Sequence, residues 1–254
     1  KPIRKFRAAY PGLESIAYKL AALDLDQALD GADVVIAHEW NAPELVARIG
    51  AHRARINSYR LFFHDTHHRM VTAPESMGAY DLSHYDGVLA YGKVLQELYE
   101  TSGRVGQAWT WHEAADTRVF VPPPAEPTEG GLVWIGNWGD GERTEELAEF
   151  LIQPARTLRL KARVHGVRYP EEARRALSEA GLEYAGWLPN FEVPRVFAQH
   201  SFTLHIPRRP YVRALPGIPT IRPFEALACG IPLVCSPWED AEWLFHHCRD
   251  FLIA

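Results

Sequence analysis

Residues 215–234 read LPGIPTIRPFEALACGIPLV, and this stretch decides the fold. A loop rich in proline and glycine leads into a helix, because Pro223 suits a first helical turn and Gly230 ends the helix about two turns later. An apolar strand follows directly. Backbone N–H groups and the amino end of this helix therefore point to one place, which favours a bound anion, and Arg222 beside them can hold a phosphate.

Apolar runs and helix-like stretches alternate along the rest of the chain. In the first half, the pattern predicts a helix from Leu13 to Ala28, strands at 33–37, 59–63 and 87–90, and helices from Pro43 and around 94–99. In the second half, it predicts strands at 132–135, 160–164, 202–206, 231–234 and 251–253, and helices through 147–150 and from 170 to 180. The strands are largely apolar, which is typical of parallel strands covered on both faces by helices.

These alternations predict an α/β fold with two Rossmann-like, doubly wound domains that face each other across a cleft. The boundary is expected at residues 122–131, PPPAEPTEGG, because such a run of prolines cannot continue a helix or a central strand. We therefore expect an N-terminal domain at 1–122, a linker at 123–131 and a C-terminal domain at 132–254. The start at Lys1 and the apolar last residues suggest truncation at both ends.

The composition excludes several classes of protein. Of the 254 residues, 47% are hydrophobic and 23% are charged, which argues against disordered, collagen-like and coiled-coil chains. The net charge of −5 provides no basic field, so nucleic acid is not expected as a partner. The three cysteines form no C-x-x-C pair, and neither a signal peptide nor a transmembrane segment is recognisable. We therefore expect a cytoplasmic protein.

Two arginine-bearing turns are candidates for binding phosphate. The turn at residues 136–143, GNWGDGER, follows a strand; glycines such as Gly136 let the backbone approach a pyrophosphate, and Arg143 can neutralise it. Arg208 and Arg209 follow a later strand and should emerge at the carboxyl edge, where open α/β sheets bind ligands. The alternative for both turns is an ordinary loop with solvated arginines.

Two carboxylates and two histidines are further site candidates. Glu225 lies in the first turn of its helix and can accept hydrogen bonds from two ribose hydroxyls, or act only as a partner of the helix dipole. Residues 64–68, HDTHH, follow a predicted strand and should face the cleft. Asp65 can orient an imidazole or accept a hydrogen bond from a hydroxyl, with turn capping as the alternative, and His67 is a candidate by position. His67 and His68 are adjacent and no other ligand set completes a site, so no metal is expected.

Several stretches resemble one family of enzymes. Residues 224–234, FEALACGIPLV, resemble the F-E-A-L-A-x-G-x-P-x-V signature of group 1 glycosyltransferases with the GT-B fold, especially the CgeB-like, spore-maturation branch. Residues 33–40, DVVIAHEW, resemble that family's D-V-V-H-A-H-D-W strand, and residues 63–65, FHD, its H-D turn. Residues 114–122, AADTRVFVP, are similar to its G-V-D-x-x-x-F-x-P, with alanines in place of the glycine and valine. The order of these matches is far more specific than any one of them.

The resemblance implies a role for several positions. It places Glu225 on the ribose of a nucleoside diphosphate sugar, and His64 against the transferred sugar. The turn that contains Gly136, Asn137 and Arg143 is similar to the G-N-x-x-x-x-x-R region of CgeB-like proteins.

Two further positions bear on the nucleobase and the sugar. Residues 186–190, GWLPN, resemble the loop whose backbone contacts the nucleobase. We expect the backbone at Gly186 to make that contact. Trp187 is a candidate to stack on the base, although packing in a core or between the domains is the more common role of a tryptophan. The family's second sugar-binding glutamate is replaced by Gly217, so the sugar stays unidentified.

We therefore expect a glycosyltransferase that moves a sugar from a nucleoside diphosphate to a hydroxyl of a glycan, lipid or protein. No cofactor or metal is expected, because Arg143, Arg222 and helix amides can stabilise the charge of the departing diphosphate. Most group 1 relatives are retaining, which implies retention here. Two alternatives stay open: a nucleotide-sugar 2-epimerase, and a domain that binds nucleotide or glycan without catalysis.

Overall fold

The computed structural model describes residues 2–122, 124, 129–139, 141–218 and 220–254. Within these residues, parallel strands form two sheets. The first sheet has the spatial order β1 (Val34–His38), β2 (Arg60–Asp65), β3 (Gly87–Ala90), β4 (Ala108–Thr110). In chain order the second sheet contains β5 (Leu132–Ile135), β6 (Ala162–His165), β7 (Leu182–Gly186), β8 (Phe202–His205), β9 (Leu233–Cys235) and β10 (Leu252–Ile253). Residues 123 and 125–128 of the expected linker lie outside the described residues.

The helices lie mainly between successive strands. Those before β5 are α1 (Pro2–Ala9), α2 (Leu25–Ala28), α3 (Pro43–Ile56), α4 (Arg69–Thr72), α5 (Pro74–Gly78) and α6 (Lys93–Ser102). Those after β5 are α7 (Thr144–Leu147), α8 (Gln153–Leu158), α9 (Glu171–Glu179), α10 (Val193–Ala198), α11 (Arg209–Arg213) and α12 (Ile221–Cys229). A π-helical turn, Ala148–Ile152, joins α7 to α8, and short 3₁₀ turns lie at Leu20–Ala22 and Asn190–Glu192. No helix in the described part of the chain is long and apolar enough to cross a membrane.

The order of strands in the second sheet is β7-β6-β5-β8-β9-β10, so the direction of winding reverses between β5 and β8. Right-handed crossovers place helices on opposite faces of the sheet on the two sides of such a reversal. Leu132 and Trp134 accordingly pack in one core, and Val133 and Ile135 in another. The second sheet is thus doubly wound, and its reversal marks the edge where such folds bind ligands.

The first sheet follows chain order without a reversal, so right-handed crossovers leave all its helices on one face. Leu61, Phe63 and Val88 are buried against these helices. Side chains on the opposite face, Val34 and Ile36, stay 55% and 44% exposed. Helices were expected on both faces of each sheet. Within the described residues, the second sheet has helices on both faces, whereas the first sheet has helices on one face only.

The prediction of one helix from Leu13 to Ala28 is wrong. Residues 11–19 form no helix, and Ile16 is 90% exposed. The chain instead makes a 3₁₀ turn and then α2, whose amino end is capped by the Asp24 carboxylate through the amide of Gln27. A capping aspartate starts a new helix rather than continuing an old one, so the apolar spacing across it did not indicate a continuous helix.

The two halves of the chain are in direct contact. Ile218 of the second half is buried in the core of the first and lies over Gly92, where a Cβ would be 2.4 Å from its side chain. The backbone amide of Lys93 donates to Glu242 at 2.7 Å. Near the N-terminus, Lys5 pairs with Glu192 at 3.1 Å, so α1 contacts the C-terminal half although the predicted domains count it with the N-terminal half.

We expect Gly131→Ala to lower the free energy of unfolding by about 2–4 kcal/mol. Gly131 precedes β5 with φ of +73°, and a Cβ there would lie 2.1 Å from the Lys161 carbonyl oxygen, so β5 and β6 would have to move apart. Gly181→Ala is the matched control: φ is +78° but nothing lies within 4 Å of a Cβ, so a loss of about 1–2 kcal/mol is expected. Urea unfolding measures both, and equal losses would contradict the account.

Candidate functional site

Two cavities lie side by side at the carboxyl end of the second sheet, where the strand order reverses. The sheet cavity, about 370 Å³, is formed by loops after β5, β6 and β7 and by the start of α12. The cleft cavity, about 340 Å³, lies between the two halves and includes Trp40 and His67 from the first. The two share Asn137, Arg143 and Thr220, so they form one continuous site.

Arg143 is the buried positive charge of this site. Its guanidinium donates to the carbonyl oxygen of Ile206 at 3.0 Å and to that of Asn137 at 2.6 Å, and lies 5.3 Å from the ring of Trp134. Burial, with Arg208 and Arg222 nearby, lowers the pKa of Arg143 to about 10, so it stays charged at neutral pH. No carboxylate in the described residues pairs with it, and its Nε is buried without a partner. A bound anion would supply the missing opposite charge.

The amino end of α12 opens onto the same site. Ile221 and Arg222 line the sheet cavity, and Thr220 precedes them in an extended conformation without a side-chain cap. The hydroxyl of Thr220 lies 3.1 Å from Nε2 of His205 instead. Burial, with Arg143 and Arg222 nearby, lowers the pKa of His205 to about 3, so this imidazole is neutral. The helix end and Arg143 thus place positive charge together, as an anion site requires.

Glu225 is almost completely buried, with 1% of its surface exposed. One carboxylate oxygen lies 2.5 Å from the guanidinium of Arg222, and the other accepts from the Asn190 amide at 3.0 Å. Arg222 and Asn190 line the sheet cavity, whereas Glu225 lies behind them. A ribose bound by Glu225 must therefore share its oxygens with these two side chains.

The glycine-rich turn after β5 has the close packing that glycine permits. A Cβ on Gly136 would lie 2.6 Å from the ring of Trp134, so this backbone has no room for a side chain. The side-chain oxygen of Asn137 accepts from the amide of Val167 at 3.1 Å, which ties the turn to the loop after β6. The backbone at residues 136–137 is thereby fixed beside Arg143.

The loop after β7 borders the sheet cavity differently from the prediction. Gly186 ends β7 and its carbonyl accepts from the amide of Gly166 at 2.9 Å. Trp187 is 54% exposed and lines the cavity, so it does not pack in a core, and its stacking on a nucleobase stays a prediction. The side chain leaves the sheet where β7 ends, and Pro189 rather than Trp187 is buried there.

The three predicted catalytic side chains do not converge. β2 continues to Asp65, two residues beyond its predicted end, so His64 and Asp65 point to opposite faces of the sheet. His64 contacts the rings of His38 and Trp111, each at 5.2 Å between centroids, and lines neither cavity. Of the three, His67 alone lines the cleft cavity.

Asp65 is fully buried beneath the turn that carries His67. Its carboxylate accepts from the Tyr99 hydroxyl at 2.8 Å and from the His67 amide at 3.1 Å, and burial raises its pKa to about 6. It reaches neither an imidazole nor the cleft, so its contacts are those of the turn-capping alternative.

Glu142 connects the two halves across the cleft, a contact that the sequence did not reveal. One of its oxygens lies 2.9 Å from the guanidinium of Arg208 and 3.4 Å from Nε2 of His68. Burial, together with His68 and Arg208, lowers the pKa of His67 to about 4, so it is neutral at pH 7. Tyr211 is a further cleft residue missed by sequence reasoning, because only the folded chain brings α11 to the histidines.

Gly217 has φ of +87°, and a Cβ there would lie 2.7 Å from Cβ of Ala241. Any side chain would therefore clash, and a glutamate does not fit at this position. Among the described residues, no group of three or more His, Cys, Asp or Glu side chains is arranged to hold a metal ion.

Residues 143–254, which begin at Arg143, match the protein family described as Glycosyl transferase-like. No curated protein sequence matches the chain significantly. HepE from Anabaena, solved with UDP and glucose, superposes with a TM-score of 0.60 and 16% identity over 95% of this chain and 70% of that one. BGT of phage T4, solved with UDP-glucose, superposes with a TM-score of 0.58 and 12% identity over 95% of this chain and 73% of that one.

TarM from S. aureus, solved with UDP, gives a TM-score of 0.61 and 10% identity over 87% of this chain. The alignment covers 45% of TarM, so this chain spans less than half the length of that protein. At these identities the likeness shows the fold, which is the GT-B fold of glycosyltransferases. The family match and the fold together support a glycosyltransferase.

We expect Asp65→Asn to change how stability depends on pH. A pKa of about 6 in the folded state, against about 3.9 in an unfolded chain, means that the folded protein holds this proton more tightly. The contribution of Asp65 is therefore full below about pH 4 and is lost as pH rises through 6, by about 3 kcal/mol in total. Urea unfolding from pH 4 to 7 should show the wild type losing that stability relative to the variant, and parallel curves would contradict the assignment.

Proposed function

We propose that this protein is a glycosyltransferase whose C-terminal half binds a nucleoside diphosphate sugar and whose sugar passes to an acceptor hydroxyl. One observation supports this most strongly: Arg143, a buried cation without a described acidic partner, lies beside the amino end of α12 at the reversal of the second sheet. Neighbours of the same fold were solved with UDP or UDP-glucose, as their descriptions state. A diphosphate supplies the charge that this place lacks.

The same arrangement favours breaking of the bond between sugar and diphosphate. Negative charge grows on the diphosphate as the sugar leaves, and a fixed cation with helix amides stabilises that charge without reorganising. Arg143 is held by two carbonyl oxygens, so its position is set before the donor binds. The neutral His67, on the opposite wall of the cleft cavity, is the side chain we assign to the acceptor side.

The finer parts of the proposal rest on the resemblance to group 1 enzymes. They are membership of the CgeB-like branch, retention of configuration, transfer without a metal or cofactor, and a cytoplasmic location. Glu225, behind Arg222 and Asn190, is proposed to bind the donor ribose, and the backbone at Gly186 the nucleobase. The acceptor is a glycan, a lipid or a protein.

Three observations favour a second candidate, a nucleotide-binding domain without turnover. His64 faces away from the cavities, Asp65 is enclosed, and Gly217 has no room for a side chain. The groups that would bind an anion therefore line the site, whereas two of the three predicted catalytic side chains do not. Release of free sugar or transfer to an acceptor distinguishes an enzyme from such a domain.

A thermal-shift screen tests the donor site. UDP-glucose, GDP-glucose and dTDP-glucose are each added with and without EDTA. A ligand at a hundred times its Kd should stabilise the protein by about 2.7 kcal/mol. We expect one of the three to do so, unaffected by EDTA, and the same sugar to be released or transferred. No stabilisation by any of them would contradict the donor site, and loss of the effect in EDTA would contradict metal independence.

We expect Arg143→Ala to weaken binding of that nucleotide sugar by about 1–3 kcal/mol, which is about 5–150-fold in Kd, because a charged hydrogen-bond donor to phosphate is lost. Arg209→Ala is the control, since its guanidinium is held by Glu145 and Glu146 and lines neither cavity. Isothermal titration calorimetry measures both variants. Equal effects of the two would show a general charge effect and would remove Arg143 from the site.

A further inference from the structure

A third cavity adjoins the sheet cavity. This apolar cavity, about 670 Å³, shares Trp187 and Asn190 with the sheet cavity, so the two are continuous. Its lining is mainly apolar and comes from residues 3–17, from residues 116–120 and from the loop after β7. We call residues 3–17 the N-terminal strap. No residue of the strap lines the sheet cavity or the cleft cavity.

The start of the strap is held against the C-terminal half. Lys5 of α1 pairs with Glu192 at 3.1 Å. The ring of Tyr10 meets that of Phe191 edge to face, with 5.9 Å between the centroids. Phe191 and Glu192 belong to a 3₁₀ turn that begins with Asn190. The strap therefore contacts the same turn whose first residue lines both cavities.

Beyond Tyr10 the strap has few contacts of its own. Among the described residues, the backbone of 11–17 makes one hydrogen bond, from the amide of Leu13 to the carbonyl oxygen of Tyr10 at 3.2 Å, and none to a residue outside the strap. Leu13 and Ile16 line the apolar cavity but are 59% and 90% exposed. A ligand in the cavity would cover these apolar side chains, which is favourable. A segment with so few backbone hydrogen bonds also opens at low cost and lets a ligand enter.

The order of the groups in a nucleoside diphosphate sugar matches the order of the cavities. Arg143, proposed to bind the diphosphate, lines the sheet cavity and the cleft cavity but not the apolar cavity. Asn190 donates at 3.0 Å to Glu225, which is proposed to bind the ribose, and borders the apolar cavity. The base is bonded directly to the ribose. A donor placed in this way therefore directs its base into the apolar cavity.

The apolar cavity suits a nucleobase better than an acceptor. A base is a flat, uncharged ring that stacks on aromatic side chains, and Phe6, Tyr10 and Trp187 all line this cavity. The side chains on the acceptor side, Trp40 and His67, lie in the cleft cavity, which shares no lining residue with the apolar cavity. The apolar cavity is thus at the opposite end of the donor from the transferred sugar.

We propose that the N-terminal strap is the outer wall of the nucleobase site, with the base of the donor held in the apolar cavity between the ring of Tyr10 and the loop after β7. The inference rests on the proposed function, because it takes the donor diphosphate to lie at Arg143. Binding of the donor adds contacts to a strap that has few, so a bound nucleotide sugar holds the strap closed. No covalent bond is made or broken.

Calorimetry with UDP-glucose, GDP-glucose and dTDP-glucose measures the contribution of Tyr10. For the nucleotide sugar that binds the wild type, Tyr10→Ala should raise the Kd by about 5–150-fold, because stacking of the base is lost. Tyr10→Phe keeps the ring, so its Kd should stay within about twofold of the wild type. Trp243→Ala is the control and should bind like the wild type, since Trp243 is an exposed aromatic residue that lines neither the apolar cavity nor the sheet cavity.

Limited proteolysis of the wild type tests closure of the strap without any substitution. Chymotrypsin cleaves after exposed leucines and aromatic residues, and cleavage after Leu13 requires the strap to open locally. Saturating nucleotide sugar should slow this cleavage severalfold. Inorganic pyrophosphate at the same concentration has no base and should not slow it.

The inference is overturned, while the donor site stands, if Tyr10→Ala binds the nucleotide sugar as tightly as the wild type or if Tyr10→Phe or Trp243→Ala loses as much affinity as Tyr10→Ala. It is also overturned if the nucleotide sugar binds without slowing cleavage after Leu13, or if pyrophosphate slows that cleavage equally. If the wild type binds none of the three sugars, the donor site itself fails, and this inference fails with it.

Discussion

The guanidinium of Arg143 is the fixed charge on which the site depends. By donating to the carbonyl oxygens of Asn137 and Ile206, it joins the ends of β5 and β8 at the reversal of the second sheet. These neutral oxygens accept two of its hydrogen bonds but do not balance its charge, and an unpaired buried cation is costly. The turn at Gly136, which carries no side chain, and the amino end of α12 leave space beside the Arg143 guanidinium. An anion completes this arrangement.

The two halves contribute unlike parts to one cleft. The doubly wound C-terminal sheet provides the anion end, while the first sheet, with helices on one face, brings His67 and His68 to the opposite wall. The halves meet through polar and apolar contacts: Glu142 reaches His68, Glu242 accepts from the Lys93 amide at the start of α6, and Ile218 is buried in the core of the first half. Charge at the cleft is therefore linked to the position of one half against the other.

Sequence patterns predicted the parts of the site that are local in the chain. The loop and helix around Arg222 and the turn from Gly136 to Arg143 follow from glycine, proline and strand positions, and both line the sheet cavity. The orientation of His64 did not follow, because extending β2 by two residues decides which face that side chain takes. The contact of Glu142 with His68 could not be foreseen, since the two residues belong to different halves of the chain.

A crystal structure of the protein with the bound nucleotide sugar tests the central claim most directly. The account predicts that the diphosphate lies within hydrogen-bonding distance of the Arg143 guanidinium and of the backbone amides at the start of α12. A diphosphate bound elsewhere, with Arg143 still bonded only to the carbonyl oxygens of Asn137 and Ile206, would contradict it.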